Sequence, residues 1–103
     1  MRKKSKNLDD AVNLLKLLSH PVRLSILCNL LHNGEMHVTG IVEAEGGMVS
    51  QSQISQFLGK MRDEGLVKTR KEAQTVFYTI NSDNAKKVIQ ALYNIYCSAK
   101  ASG

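Results

Sequence analysis

The side chains able to do covalent chemistry are few: Cys28, Cys97 and three histidines, His20, His32 and His37. A cysteine thiolate is a nucleophile and a soft metal ligand. His32 follows Cys28 by four positions, so the two share a face if that stretch is helical. A protonated or hydrogen-bonded imidazole there would favour the Cys28 thiolate. Cys97 has no such neighbour, and the partial negative charge at a helix C-terminus opposes a thiolate. On residue grounds alone, two dispersed cysteines fit a pair of inert, buried thiols better than a reactive pair. Catalysis needs a nucleophile with its base and orienter, or a metal with an open site. Cys28 and His32 lack an acidic partner and a Gly-rich loop, and Cys-x-x-Cys is absent. The histidines show no metal-ligand spacing. The expectation is therefore no enzyme, no cofactor and no metal.

A second chemistry is non-covalent and lies in Ser50 to Gly65, SQSQISQFLGKMRDEG. Ser50 is a helix N-cap residue and Gly65 suits the C′ position. Ile54, Leu58 and Met61 recur at helical spacing and draw one apolar stripe. The opposite face carries Gln51, Ser52, Ser55, Gln56 and Lys60, with no acid before Asp63. Amides can bond adenine bidentately, hydroxyls can serve bases or phosphates, and no carboxylate repels the DNA backbone. An ordinary solvated face is the competing reading. With Ser50 and Gln53 from the first turn added, these residues are the candidate readers of a DNA major groove.

After Gly65, Leu66 to Arg70 and Thr75 to Ile80 have strand composition, joined by Lys71-Glu72-Ala73-Gln74. The hairpin carries Lys68, Arg70 and Lys71, placed to hold phosphates, and Gln74 near its tip could reach a groove. Lysines also protect sheet edges, which is the plainer role for them. A polar-faced helix followed at once by a basic hairpin is more specific than either half: it is the pattern of a winged helix-turn-helix.

Other elements must position these two. Asn7 to Leu18 reads as a first helix, with Leu8, Ala11, Val12, Leu15 and Leu18 on one face, widened by Leu14 and Leu17. A stripe this broad suggests burial on two sides, one of them a second subunit. Pro21 opens a second helix, Pro21 to His32, ended by Asn33-Gly34. A short helix is expected over Thr39 to Glu45, followed by a turn through Gly46-Gly47. That turn is about two residues longer than is usual in a helix-turn-helix. Gly59, inside the recognition helix, costs about 1 kcal/mol relative to Ala. Ser82 or Asn81 caps a final helix from Asp83 to about Ala99, with Val88, Ile89, Leu92, Ile95 and Tyr96 apolar. The fold class is thus mainly α with a β-hairpin wing, five helices, and a homodimer made by the first and last helices.

Composition agrees. The 103 residues suit one domain, residues 1–103, with frayed ends at 1–6 and 99–103. The net charge of +5 and pI of about 9.4 favour an anionic partner, nucleic acid before membrane. No apolar run approaches the roughly 20 residues of a membrane span, and no signal-peptide core is present. Two distant cysteines do not make a secreted disulfide scaffold, so the cytoplasm is the expected compartment.

From Leu14 to Cys97 the chain resembles ArsR/SmtB-type winged helix-turn-helix repressors. LLSHPVRLSILCNL is similar to the family's second helix, and SQSQISQFLGKMRDEGLVKTRKEAQTVFYTI to its recognition helix and wing. The resemblance implies a homodimer that binds double-stranded DNA at a promoter operator and releases it when an effector arrives. Soft-metal sensors of the family carry a Cys-x-Cys motif in the short helix. Here that region reads His37-Val38-Thr39-Gly40-Ile41, and no His follows Asp83 in the last helix. Cys28 and Cys97, with RKEAQTVFYTI and the IYC ending, resemble the persulfide-sensing branch. What that implies is a redox switch with reactive sulfur species as effector: Cys28 attacks, Cys97 resolves, and a disulfide or polysulfide bridge forms. Metal sensing, and regulation without any cysteine chemistry, are the alternatives.

Overall fold

The computed structural model describes the backbone of residues 2–98 and the side chains of residues 8–96. The chain forms α1 (Arg2–Leu18), α2 (Pro21–Asn33), β1 (Met36–His37), α3 (Val38–Ala44), α4 (Gln51–Asp63), β2 (Val67–Glu72), β3 (Thr75–Ile80) and α5 (Asp83–Tyr93). A π-helical turn, Asn94–Ser98, extends α5. The expected winged helix-turn-helix with five helices is what the chain adopts.

Local chemistry explains the boundaries. Arg23 closes α1, its Nε donating to the Leu17 carbonyl at 2.8 Å and its Nη2 to that of Lys16 at 3.2 Å. These are carbonyls a helix end leaves without an internal partner. Pro21 stands at the start of α2, and His20 caps it by accepting from the Val22 N–H at 3.2 Å. Gly34, at φ +86°, ends α2 and donates to the Leu30 carbonyl at 2.7 Å. The Ser82 hydroxyl accepts from the Ala85 N–H at 3.1 Å and starts α5.

One core joins the elements. Ile26 and Leu27 of α2, Ile41 of α3, Ile54, Leu58 and Met61 of α4 and Ile89 of α5 are wholly buried. Leu66, Val67 and Ile80 close the core from the sheet. The sheet is antiparallel in the order β1-β3-β2, with Met36 opposite Tyr78 and Val67 opposite Ile80.

Several boundaries differ from the sequence reading. α1 begins at Arg2, ahead of the expected start at Asn7; none of residues 2–6 is a helix breaker. The short helix begins and ends one residue early, at Val38 and Ala44. Strand β1 was not expected. β2 begins at Val67 and runs to Glu72, which shrinks the four-residue loop to Ala73-Gln74. The α-helical part of the last helix stops at Tyr93, before the π turn. The expected fraying at 99–103 lies outside the described residues.

Candidate nucleic-acid interface

Helix α4 is fixed at its start by a capping box. The Ser50 hydroxyl accepts from the Gln53 N–H at 3.1 Å, and the Gln53 side-chain oxygen accepts from the Ser50 N–H at 3.2 Å. Ser50 and Gln53, both expected at the DNA, are thus engaged with each other and set the helix's first turn. The long turn before them is built from two left-handed glycines, Gly46 at φ +71° and Gly47 at +74°, a region that side chains disfavour. Its start is held by Glu45. One carboxylate oxygen of Glu45 accepts from the Ser25 hydroxyl at 2.7 Å and from the Asn29 amide at 3.0 Å, both on α2. The sequence reading missed this clamp, whose donors lie in a different element.

With Ile54, Leu58 and Met61 turned wholly inward, α4 leaves Gln51, Ser52, Ser55, Gln56 and Lys60 exposed on its outer side. The face is free of carboxylates until Asp63. It offers amide and hydroxyl donors and acceptors with one cation, a set suited to base edges and phosphates.

In the wing, Lys68, Lys71 and Gln74 are exposed. Arg70, expected to hold phosphate, is otherwise engaged. Its Nε donates to Glu35 Oε2 at 2.7 Å, its Nη2 to Glu35 Oε1 at 2.9 Å and its Nη1 to Glu72 Oε1 at 3.1 Å. The guanidinium also lies over the Phe77 ring, 4.7 Å from its centroid. The Arg70 hydrogen bonds hold the Glu35 carboxyl below the usual carboxylate range. The same bonds, to Glu35 first and then Glu72, raise the already high pKa of Arg70. Two carboxylates neutralise this cation, while Lys68 and Lys71 stay exposed beside it. Glu72 could have been suspected, since residues two apart share a strand face. Glu35 carries no local signal.

Residues 20–69 match the family model described as bacterial regulatory protein, arsR family. The transcriptional activator HlyU of Vibrio cholerae serotype O1 is 46% identical over 99 residues, covering 96% of this chain and 89% of that protein. The chain belongs to the ArsR family. The solved structure of reduced HlyU from Vibrio cholerae superposes with a TM-score of 0.84 at 45% identity, covering 94% of this chain and 99% of that one. The transcriptional repressor BigR from Xylella fastidiosa does so with a TM-score of 0.81 at 38% identity, over 93% and 95% of the two chains. This ArsR-family chain is a DNA-binding transcriptional regulator and not an enzyme.

Of the two expected switch cysteines, the structure describes the side chain of Cys28. Cys28 is half-buried on α2, packed against the core. His32, one turn on, is exposed, and its ring lies 6.3 Å from that of Tyr93 on α5. Cys97 falls in the π-helical turn, but its side chain lies outside the described residues. Among the described residues no group of three or more His, Cys, Asp or Glu side chains is gathered to hold a metal ion, and no single helix is long and apolar enough to cross a membrane.

Proposed function

We propose that this regulator is a cytoplasmic, homodimeric repressor that binds a promoter operator and releases it when reactive sulfur species modify Cys28 and Cys97. The carboxylate-free outer face of α4, beside the basic wing, carries the operator-binding part. Gln51, Ser52, Ser55, Gln56 and Lys60 read the groove, while Lys68 and Lys71 hold phosphates and Gln74 lies near the tip. The dimer is supported by apolar side chains left in the open on the first and last helices: Leu8 is 67% exposed, Leu15 58%, Ile95 62% and Tyr96 71%. A second copy would cover them and set two recognition helices about 34–36 Å apart, one DNA turn.

The approach of His32 to Tyr93 supports the sulfur switch. Lys86, near the start of α5, lines a small cavity together with Leu30, Leu31 and Gly34 near the end of α2. Helices α2 and α5 therefore pack against each other. Cys28 lies one turn before His32, and Cys97 one turn after Tyr93. A relative whose solved form is named reduced HlyU fits a regulator in which thiol state matters. In the proposed step the Cys28 thiolate takes the sulfane sulfur of a persulfide, and the donor departs as a thiolate. The Cys97 thiolate then attacks the inner sulfur of the Cys28 persulfide, forming a disulfide and expelling hydrosulfide. A longer donor would leave extra sulfur in the bridge. Either bridge ties α5 to the scaffold of α4 and shifts the spacing on which operator affinity depends.

The test is a gel shift on the upstream region of the chain's own gene, with and without inorganic polysulfide. Wild type is expected to bind when reduced and release when treated. Cys28→Ser and Cys97→Ser are each expected to bind like reduced wild type and to stay bound. Mass spectrometry of treated wild type is expected to show an intramolecular Cys28–Cys97 link. Release of both single variants by polysulfide would replace this reading with a cysteine-independent effector.

A further inference from the structure

The ion pair that takes Arg70 out of the set of phosphate-binding cations is built across the whole sheet. His37 of β1 is opposite Phe77 of β3, and Phe77 is opposite Arg70 of β2, so the three form one row. The ring of His37 meets that of Phe77 edge-on at 5.9 Å, and the Arg70 guanidinium covers the same ring. From there Arg70 reaches over β3 to Glu35, the residue just before β1, and grips both its carboxylate oxygens. A fork of two parallel N–H···O bonds fixes direction as well as distance, which a lysine could not do. A second tie runs the same way: the Thr79 hydroxyl on β3 donates to the Gly34 carbonyl at 2.8 Å. Neither tie lies in the hydrophobic core, and Glu35 and Arg70 remain 36% and 52% exposed at their side chains. Exposed pairs of this kind add little to global stability. Their effect is to restrict where the outer strand of the wing can sit relative to α2.

We infer that Glu35 and Arg70 are wing-positioning residues for DNA binding: the Arg70–Glu35 fork holds β2 so that Lys68 and Lys71 meet the DNA backbone in place, and Arg70 is not itself a phosphate ligand. The inference rests on the proposed role of the wing lysines. It makes a prediction of unusual sign. Glu35 is an anion on the DNA-binding side of a basic protein, so removing its charge should, by Coulomb attraction alone, tighten binding. If the fork positions the wing, removing that charge must weaken binding instead, because two lysines then have to be ordered at the moment of association.

The experiment measures operator affinity against salt for full-length wild type, Glu35→Gln, Arg70→Ala, the exchanged pair Glu35→Arg with Arg70→Glu, and Lys71→Ala. Hydrogen–deuterium exchange of the wing amides is followed in the absence of DNA. Glu35→Gln and Arg70→Ala are expected to bind about 3- to 10-fold more weakly, the cost of immobilising one or two long side chains. Both are expected to speed exchange in β2 while leaving the thermal midpoint almost unchanged. The exchanged pair is expected to recover part of the loss, since it restores an ion pair without the original fork. Equal or tighter binding by Glu35→Gln would overturn the inference, as would a smaller loss of affinity in Arg70→Ala than in Lys71→Ala together with unchanged exchange in the wing. Lys71→Ala is expected to lower the salt slope by about one unit. An unchanged slope there would remove the wing from the DNA, and the positioning role with it. A normal Lys71→Ala result with tight Glu35→Gln binding would reject the fork alone.

Discussion

Helix α4 buries Ile54, Leu58 and Met61 completely, whereas β2 buries Val67 and leaves Lys68, Arg70, Lys71 and Glu72 exposed. Both elements are proposed to meet DNA, but different forces hold them. Burying one aliphatic side chain of this size stabilises by roughly 1.5–3 kcal/mol, so three of them make α4 inseparable from the fold. Beyond Val67 and Ile80, which close the core, the wing hangs on ladder hydrogen bonds, a surface fork and one aromatic row. Segments with few buried side chains open locally at less cost than the whole domain unfolds. A base-reading element has to present fixed geometry, because hydrogen-bond readout fails when the donors are misplaced. A phosphate-holding element tolerates more movement, since its interaction is mainly with charge.

The sharpest way to break this contrast is to attack α4 from inside. Leu58→Ala is expected to cost about 2–5 kcal/mol, the range for emptying a fully buried leucine site. Since that side chain touches the single core, loss should be cooperative: urea unfolding followed by circular dichroism should move its midpoint, and operator binding should fall only as folded protein is lost. A variant that stayed as stable as wild type would mean that α4 is not fixed by its buried stripe.

The same division explains what could be read from the residues alone. Helix α4 was legible because its signals are local: a serine cap, an apolar repeat and a glycine just beyond its end. The alternation Val76, Tyr78, Ile80 marked β3 for the same reason. Strand β1 was not legible, since Met36–His37 is two residues long and becomes a strand only by pairing with Tyr78 and Phe77, far along the chain. Arg70 misled for a related reason. Its basic type and its place on the hairpin point to phosphate, but its partner Glu35 lies 35 positions away and meets it only through the folded sheet. Gly46-Gly47 announced an unusual turn, while the Glu45 clamp that holds it depends on Ser25 and Asn29 of α2. Cys28 and His32 share a face as their spacing indicated, but Tyr93 as the neighbour of His32 needed the packing of α2 on α5.

A smaller effect sharpens the contrast from the outer side of α4. Gly59 lies on the face shared by Ser52, Ser55 and Gln56, and a methyl group added to it would meet nothing within 4 Å. Its backbone is helical, so alanine fits without strain. Gly59→Ala is therefore expected to stabilise the protein by about 0.5–1 kcal/mol, through the helix propensity that glycine gives up. The urea midpoint checks this. Because the protein itself has room for the methyl group, any change in operator affinity would report the DNA side of α4 alone. A loss of stability would mean that Gly59 is needed inside the molecule, contrary to its open surroundings.

The smallest expected effect concerns the wing tip. Ala73 stands at φ +56°, in the left-handed region, at the first residue of a two-residue hairpin loop where glycine is usual. An L-residue there carries a penalty of roughly 1–2 kcal/mol, which glycine removes. Glycine also frees the unfolded chain, and that opposes about 0.4–1 kcal/mol of the gain. Ala73→Gly should therefore stabilise by only about half a kcal/mol, a difference between two terms of similar size. Its effect on DNA binding is the more telling measurement. If the Arg70–Glu35 fork positions the wing, relaxing the tip should leave operator affinity and its salt slope as in wild type. If Ala73→Gly weakens binding as Glu35→Gln is expected to, the tight turn and not the fork sets where Lys68 and Lys71 stand. The wing would then be positioned from its far end, by backbone geometry, and its tie to α2 would be incidental.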